Sequence, residues 1–194
     1  SLVGSEMCIR DSIILASSSP RRKELMKLIF DEFIIRPSEI EEDIPSAINY
    51  ELAAEYLASK KANSVVKKSN ELVIGCDTVV TAGNIILGKP HDCKECRKML
   101  RLLSGRTHSV YTGVSIIFNG KEFCFTEKTD VKFRNISDEE IEEYMNTGEP
   151  FDKAGGYGIQ GRGALFVQSI CGDYFNVVGL PVSRLNYELK KIVL

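Results

Sequence analysis

Short apolar runs alternate with helical stripes along most of this chain. Ile13–Ala16 reads as a short buried strand, and Pro20 to Ile29 as a helix with Leu25, Leu28 and Ile29 inward. A second helix is predicted from about Ser46 to Lys67. Leu72–Ile74 and Thr78–Thr81 flank Gly75-Cys76-Asp77, so an apolar strand carries a carboxylate in its middle or at its end. Asp92–Leu103 spaces Cys96, Met99, Leu100 and Leu103 along one helical face.

Thr107–Phe118 and Lys121–Arg134 are β-rich runs joined by Asn119-Gly120, a strong hairpin signal. Ser137-Asp138-Glu139-Glu140 opens a helix with a capping box, and Ile141, Tyr144 and Met145 face inward. A glycine-rich stretch then leads to a strand over Ala164–Ile170 and a second short strand near Tyr174–Val178. A final helix from Pro181 is expected to bury Val182, Leu185, Leu189 and Ile192. Because a hairpin interrupts the strand–helix alternation, this order predicts an α/β fold with a mixed β-sheet and flanking helices. Ser1–Asp11 shows neither period and is expected to be a non-core extension, with 12–194 a single domain.

Composition narrows the classes of partner. The 194 residues are 43% apolar and 27% charged, and 25 Lys and Arg against 27 Asp and Glu give a formal net charge of -2. A binder of nucleic acid through bulk electrostatics would carry a basic excess, so no nucleic-acid partner is expected. No apolar run approaches the length of a membrane span. The first residues lack a signal peptide's basic start and apolar stretch, so a cytoplasmic location without membrane attachment is expected.

The six cysteines (Cys8, Cys76, Cys93, Cys96, Cys124 and Cys171) are scattered through apolar segments and are expected to be reduced, buried thiols. Cys93 and Cys96 form a CxxC, but no second pair of zinc spacing accompanies it, and His91 and His108 stand alone.

Charge placement singles out one turn. At Ser137 the first helical turn is acidic, as the helix dipole favours. Ser19 and Pro20 mark an equally clear helix start, yet there the first turn holds Arg21, Arg22 and Lys23. Three cations beside free backbone N–H groups are unfavourable by about 0.3–1 kcal/mol each. A bound anion resolves this, held by N–H groups, by the hydroxyls of Ser17, Ser18 and Ser19, and by a guanidinium fork.

Other residues gain meaning beside such a site. Asp77 stands where strands of α/β folds deliver catalytic groups, although a turn-closing Asp would look the same. The acidic run Glu39, Glu41, Glu42 and Asp43 is either a solvated loop or a source of Mg²⁺ ligands. Lys61 shares a helical face with Ala53 and Leu57, and either snorkels to water or points at phosphates. Lys89, in Gly88-Lys89-Pro90, is ambiguous by itself. Gly156, Gly158 and Gly161 match GxGxxG, but a strand-like run follows, so the dinucleotide reading fails. What remains is either a loop approaching a ligand closely, with Gln160 reading a base edge, or a structural turn cluster.

The segments LASSSPRRKELM, VIGCDTVV, LGKPHD, LSGRTHSVYTGVSI and GEPFDKAGGYGIQGRGALFVQSICGDYFNVVGLPVSRL together resemble the Maf family of nucleoside triphosphate pyrophosphatases, from Ile13 to the C-terminus. The resemblance implies hydrolysis of a nucleoside triphosphate to the monophosphate and pyrophosphate with a divalent cation, Mg²⁺ or Mn²⁺. It also implies a fold similar to the inosine-triphosphate pyrophosphatases, elongated and two-lobed with a cleft, and a cytoplasmic homodimer. Asp77 matches the family's active-site acid, acting as general base or metal ligand. Ser17, Ser19, Arg22, Lys61 and Lys89 correspond to substrate- and phosphate-binding positions, and Glu41 with Asp77 to the metal site. Arg21, Thr78 and Gln160 match positions associated with dTTP and UTP selectivity. The competing expectations are 7-methyl-GTP hydrolysis in the same family, or a non-catalytic nucleotide-binding regulator of septum formation. Gly113 and Gly156 stand where alanine is common in the family, and neither departure removes a chemical group.

Overall fold

The computed structural model describes residues 13–45 and 48–193. The expected extension Ser1–Asp11, Cys8 and the expected helix start at Ser46 lie outside these residues. The first strand β1 (Ile13–Leu15) is followed by α1 (Pro20–Met26), β2 (Ile34–Ile35), α2 (Tyr50–Val65), β3 (Leu72–Ala82) and β4 (Ile85–Leu87). Helix α3 (Cys93–Leu103) leads to the long strands β5 (Thr107–Phe118) and β6 (Lys121–Phe133). Then come α4 (Asp138–Met145), short 3₁₀ turns between 149 and 166, β7 (Val167–Cys171), α5 (Tyr174–Val178) and α6 (Val182–Val193).

The strands form one mixed sheet in the order β2-β1-β3-β5-β6-β7, with β4 paired to β3. β1 runs parallel to both β2 and β3, whereas β4 on β3 and β7 on β6 are antiparallel. Asn119 and Gly120 both adopt positive φ (50° and 72°), as a two-residue hairpin turn requires.

The chain separates into two compact units. One comprises the chain up to Asp77, Thr112–Glu127 and the chain from Gly179 onward; the other comprises Thr78–Tyr111 and Lys128–Val178. The strands β3, β5 and β6 therefore each contribute residues to both. In the first unit Ile14, Ala16, Ala62, Val65, Val73 and Ile117 form a buried cluster. In the second, α3 and α4 pack their predicted faces, including Leu100, Leu103 and Ile141, around Val131, Phe133 and Phe166.

Several expectations need correction. Helix α1 stops at Met26, so its period never reaches Leu28, which is 65% exposed; Phe30 turns inward instead. Tyr174–Val178 is a helical turn and not a strand. The Asp173 carboxylate accepts from Phe175 N–H (2.8 Å) and starts it locally. The last β-run begins only at Val167 because 162–166 is a 3₁₀ turn. Ile192 is half-buried, while Val182, Leu185 and Leu189 are buried as expected. The cysteines are free thiols in the described residues, but only Cys76 and Cys96 are buried; Cys93 and Cys171 are exposed.

Candidate active site

In the first unit, β1 hands the chain to a serine turn. Ala16 N–H still bonds to the Ile74 carbonyl (2.8 Å), which fixes the strand exit, and the next residue, Ser17, is buried. Ser17 Oγ accepts from Ser19 N–H (3.3 Å) and from Arg22 Nη1 (3.2 Å). Ser19 caps α1 by accepting from Arg22 N–H (3.5 Å), with Pro20 at the first helical position. The Arg22 guanidinium is held from a second side, since Nε donates to the Gly179 carbonyl (2.9 Å). No acidic residue lies in this first turn, and Glu24 is taken by Lys27 (2.8 Å). Arg21 is half-buried, whereas Lys23 is exposed.

Asp77 lies in the middle of β3, and α2 covers it. The buried face of α2 is made of Ala53, Ala54, Leu57, Ala58, Lys61, Ala62 and Val65, mostly small side chains. Small residues suffice because the sheet beneath presents two glycines. A Cβ at Gly75 would run into the Ala58 carbonyl and Ala62, and one at Gly113 into the Ala54 backbone. Glycine in a strand interior here marks close backbone approach. The helix therefore sits low on β3 and β5, and Lys61 reaches Asp77.

Lys61 and Asp77 are 8% and 7% exposed, and the Lys61 ammonium donates to Asp77 Oδ1 and to Glu42 Oε1 (2.7 Å). Burial alone would lower the Lys61 pKa. The Asp77 charge and the hydrogen bonds to Asp77 and Glu42 outweigh that effect and hold it above its ordinary value. Lys61 therefore remains a cation and does not snorkel.

Glu42 completes this group although its side chain is partly open to solvent; Glu41 is also exposed, and its backbone carbonyl accepts from Lys60 Nζ (3.3 Å). Among the described residues no cluster of three or more His, Cys, Asp or Glu could hold a metal by itself. Asp77 and Glu42 nonetheless converge on one cation, the Lys61 ammonium. Two carboxylates completed by phosphate oxygens are a donor set that suits Mg²⁺, which seldom uses an all-protein cage. The chemistry of these two carboxylates fits a divalent cation that the protein does not cage alone.

Thr78, Lys89 and Gln160 belong to the second unit. Thr78 follows Asp77 directly in β3 and is half-buried; Lys89 and Gln160 are exposed. The glycine-rich segment is joined to the Lys89 loop by Gly155 N–H on the Gly88 carbonyl (2.9 Å). Gly155 has φ +70°, and a Cβ there would press on Val80 of β3. The glycines beyond it serve the protein's own packing. A Cβ at Gly161 would collide with the Glu149 carboxylate, one at Gly158 with Lys153, and one at Gly163 with the Gly158 backbone. These contacts give the glycines a packing role, and they leave Gln160 exposed on the turn.

The sequence profile of the family described as Maf-like protein matches residues 12–192. The chain belongs to the Maf family. This Maf chain is 51% identical to the dTTP/UTP pyrophosphatase of Agathobacter rectalis, across 93% of this chain and 97% of that protein. It is 52% identical to the dTTP/UTP pyrophosphatase of Bacillus mycoides, across 92% and 94% respectively. Among solved structures, a HAM1 protein from Coxiella burnetii is similar with a TM-score of 0.57 at 17% identity, covering 93% of this chain and 98% of that one. That likeness concerns the fold alone, and it agrees with the expected mixed α/β architecture. No helix of the Maf chain, among the described residues, is long and apolar enough to cross a membrane.

Sequence reasoning did not single out four contributors to this Maf site. Glu42 was visible only as one member of an acidic run. The Gly179 carbonyl that tethers Arg22 has no sequence signal, because the contact spans 157 positions. Gly75 and Gly113 did carry a signal, as glycines inside otherwise β-forming runs.

Proposed function

We propose that this chain hydrolyses dTTP and UTP to the monophosphate and pyrophosphate. The observation that carries the reading is the buried Lys61–Asp77 pair in the middle of β3, in a chain whose relatives at 51–52% identity are named dTTP/UTP pyrophosphatases. Water attacks the α-phosphorus; the new oxygen–phosphorus bond forms as the bond to the bridging oxygen breaks, and pyrophosphate leaves. Asp77 takes the proton of the attacking water, and Lys61 orients that carboxylate. Arg22, tethered by Ser17 and Gly179, clamps phosphate oxygens, and Lys89 offsets charge on the polyanion. Asp77 and Glu42, completed by phosphate oxygens, would hold a divalent cation, which would supply Lewis-acid assistance at the phosphoryl group. Arg21, Thr78 and Gln160 select the pyrimidine. The family resemblance supports a cytoplasmic homodimer.

The test is pyrophosphate release across dTTP, UTP, CTP, 7-methyl-GTP and the purine triphosphates with Mg²⁺ or Mn²⁺. Preference for dTTP and UTP supports the proposal. Preference for 7-methyl-GTP moves the chain to another substrate, and no release from any nucleotide leaves a binding protein.

A further inference from the structure

Gln160 is presented at the tip of a tight turn whose two ends are clamped. Gly161 N–H bonds to the Gly158 carbonyl (3.3 Å), so Ile159 and Gln160 are the central residues of a four-residue turn. At one end, Gly158 N–H donates to the Tyr144 hydroxyl (3.3 Å). At the other, Arg162 N–H donates to Glu149 Oε2 (2.8 Å) and Gly163 N–H to Glu149 Oε1 (3.3 Å). The two anchors are themselves joined, because the Tyr144 hydroxyl donates to Glu149 Oε1 (3.0 Å). Lys153 Nζ fixes the backbone beneath by donating to the Glu149 carbonyl (2.7 Å).

The local sequence is adapted to this clamp and not to an unobstructed loop. Tyr144 comes from the buried face of α4 and is 3% exposed. At Gly161 a side chain would occupy the space of the Glu149 carboxylate, and at Gly163 it would press on the Gly158 backbone and the Tyr144 hydroxyl. The missing Cβ atoms at Gly161 and Gly163 leave room for the amides of Arg162 and Gly163 to close around the carboxylate. Burial opposes ionisation of Glu149, but the two backbone N–H groups, the Tyr144 hydroxyl and Lys153 outweigh it, so its pKa lies below the ordinary value.

We infer that Glu149, acting with Tyr144, is a specificity-determining positioning residue: it holds the Gly158–Gly163 turn so that Gln160 meets the base at a fixed height and angle. The inference rests on the proposed function, and within it adds a residue that touches no substrate. An anion accepting two successive N–H groups is a directional support that an amide does not replace. A Gln at 149 must point its NH₂ at one of the donors.

The test compares kcat/KM for dTTP and CTP in the unmodified protein, Glu149→Gln, Tyr144→Phe and Gln160→Ala. Misplacing a reading group by an ångström is costly, so Glu149→Gln is expected to flatten the dTTP-over-CTP preference by about tenfold or more, in the direction of Gln160→Ala. Amide exchange at Arg162 and Gly163 should rise at the same time. Should Glu149→Gln fail to fold, Tyr144→Phe decides, with a smaller shift of the same sign. A folded Glu149→Gln or Tyr144→Phe that keeps the full preference, or loses activity equally on both nucleotides, overturns the inference. Failure of the underlying function reads differently, as absent pyrophosphate release in the unmodified protein.

Discussion

The Lys61 ammonium meets the Asp77 carboxylate where α2 lies against the sheet with no side chain between them, at Gly75. Helix, strand and ion pair are therefore one mechanical unit. Adding a methyl group at Gly75 or Gly113 forces the helix off the strands, since the atoms met are largely backbone and cannot rotate away. Gly75→Ala is expected to lose about 1–3 kcal/mol of stability and to lower turnover because Lys61 withdraws from Asp77. Urea denaturation and pyrophosphate release check this together. An unchanged midpoint and rate would mean that the helix has room to spare.

Arg22 offers a test of the phosphate clamp that leaves charge intact. Its guanidinium is held by Ser17 and Gly179 through two different nitrogens, which a lysine cannot imitate. Arg22→Lys should raise KM for dTTP by about tenfold or more, the scale of one charged hydrogen bond at ~1.5–3 kcal/mol. Steady-state kinetics read the effect, and an unchanged KM would detach Arg22 from the phosphates.

Acid sensitivity should come from a pair that takes no part in the proposed chemistry. Arg36 donates both guanidinium nitrogens to the buried Glu71 carboxylate (2.9 and 3.0 Å), which also accepts from Lys67 N–H and Lys68 N–H. Hydrogen bonding from Arg36 is the main cause that moves the Glu71 pKa down from 4.5 to about 2, against the opposing effect of burial. A depressed folded pKa contributes stability that is complete above about pH 4.5 and is lost as pH falls towards about 2. Glu71→Gln should be less stable at neutral pH and lose less of its stability over that acid window. Parallel acid limbs in melting temperature against pH would contradict this.

How far the sequence reached depends on how local each cause is. The capping box at Ser137, the Asn119-Gly120 turn and the α3 stripe were legible because a few adjacent residues determine them. Strands β2 and β4, of two and three residues, hold too few positions to show a period. At Tyr174–Val178 the apolar composition suggested a strand, and the hydrogen bond from Phe175 N–H to Asp173 made a helical turn instead. Asp77, Lys61 and Arg22 were visible as chemical types in unusual surroundings. Their supports were not: Gly179 reaches Arg22 through the fold, and Glu149 looks like any surface glutamate until the glycines around it are seen to make room for it.

The central claim is that the buried carboxylate of β3 performs the chemistry, and Asp77→Asn tests it most directly. The variant keeps the volume and a hydrogen-bond acceptor for Lys61, so a cooperative melting transition should remain. Pyrophosphate release from dTTP, measured at saturating substrate with Mg²⁺, should fall by about 10²–10⁴-fold or more, the range expected when a positioned base is removed. Release near the wild-type rate from a folded Asp77→Asn protein would remove Asp77 from the mechanism.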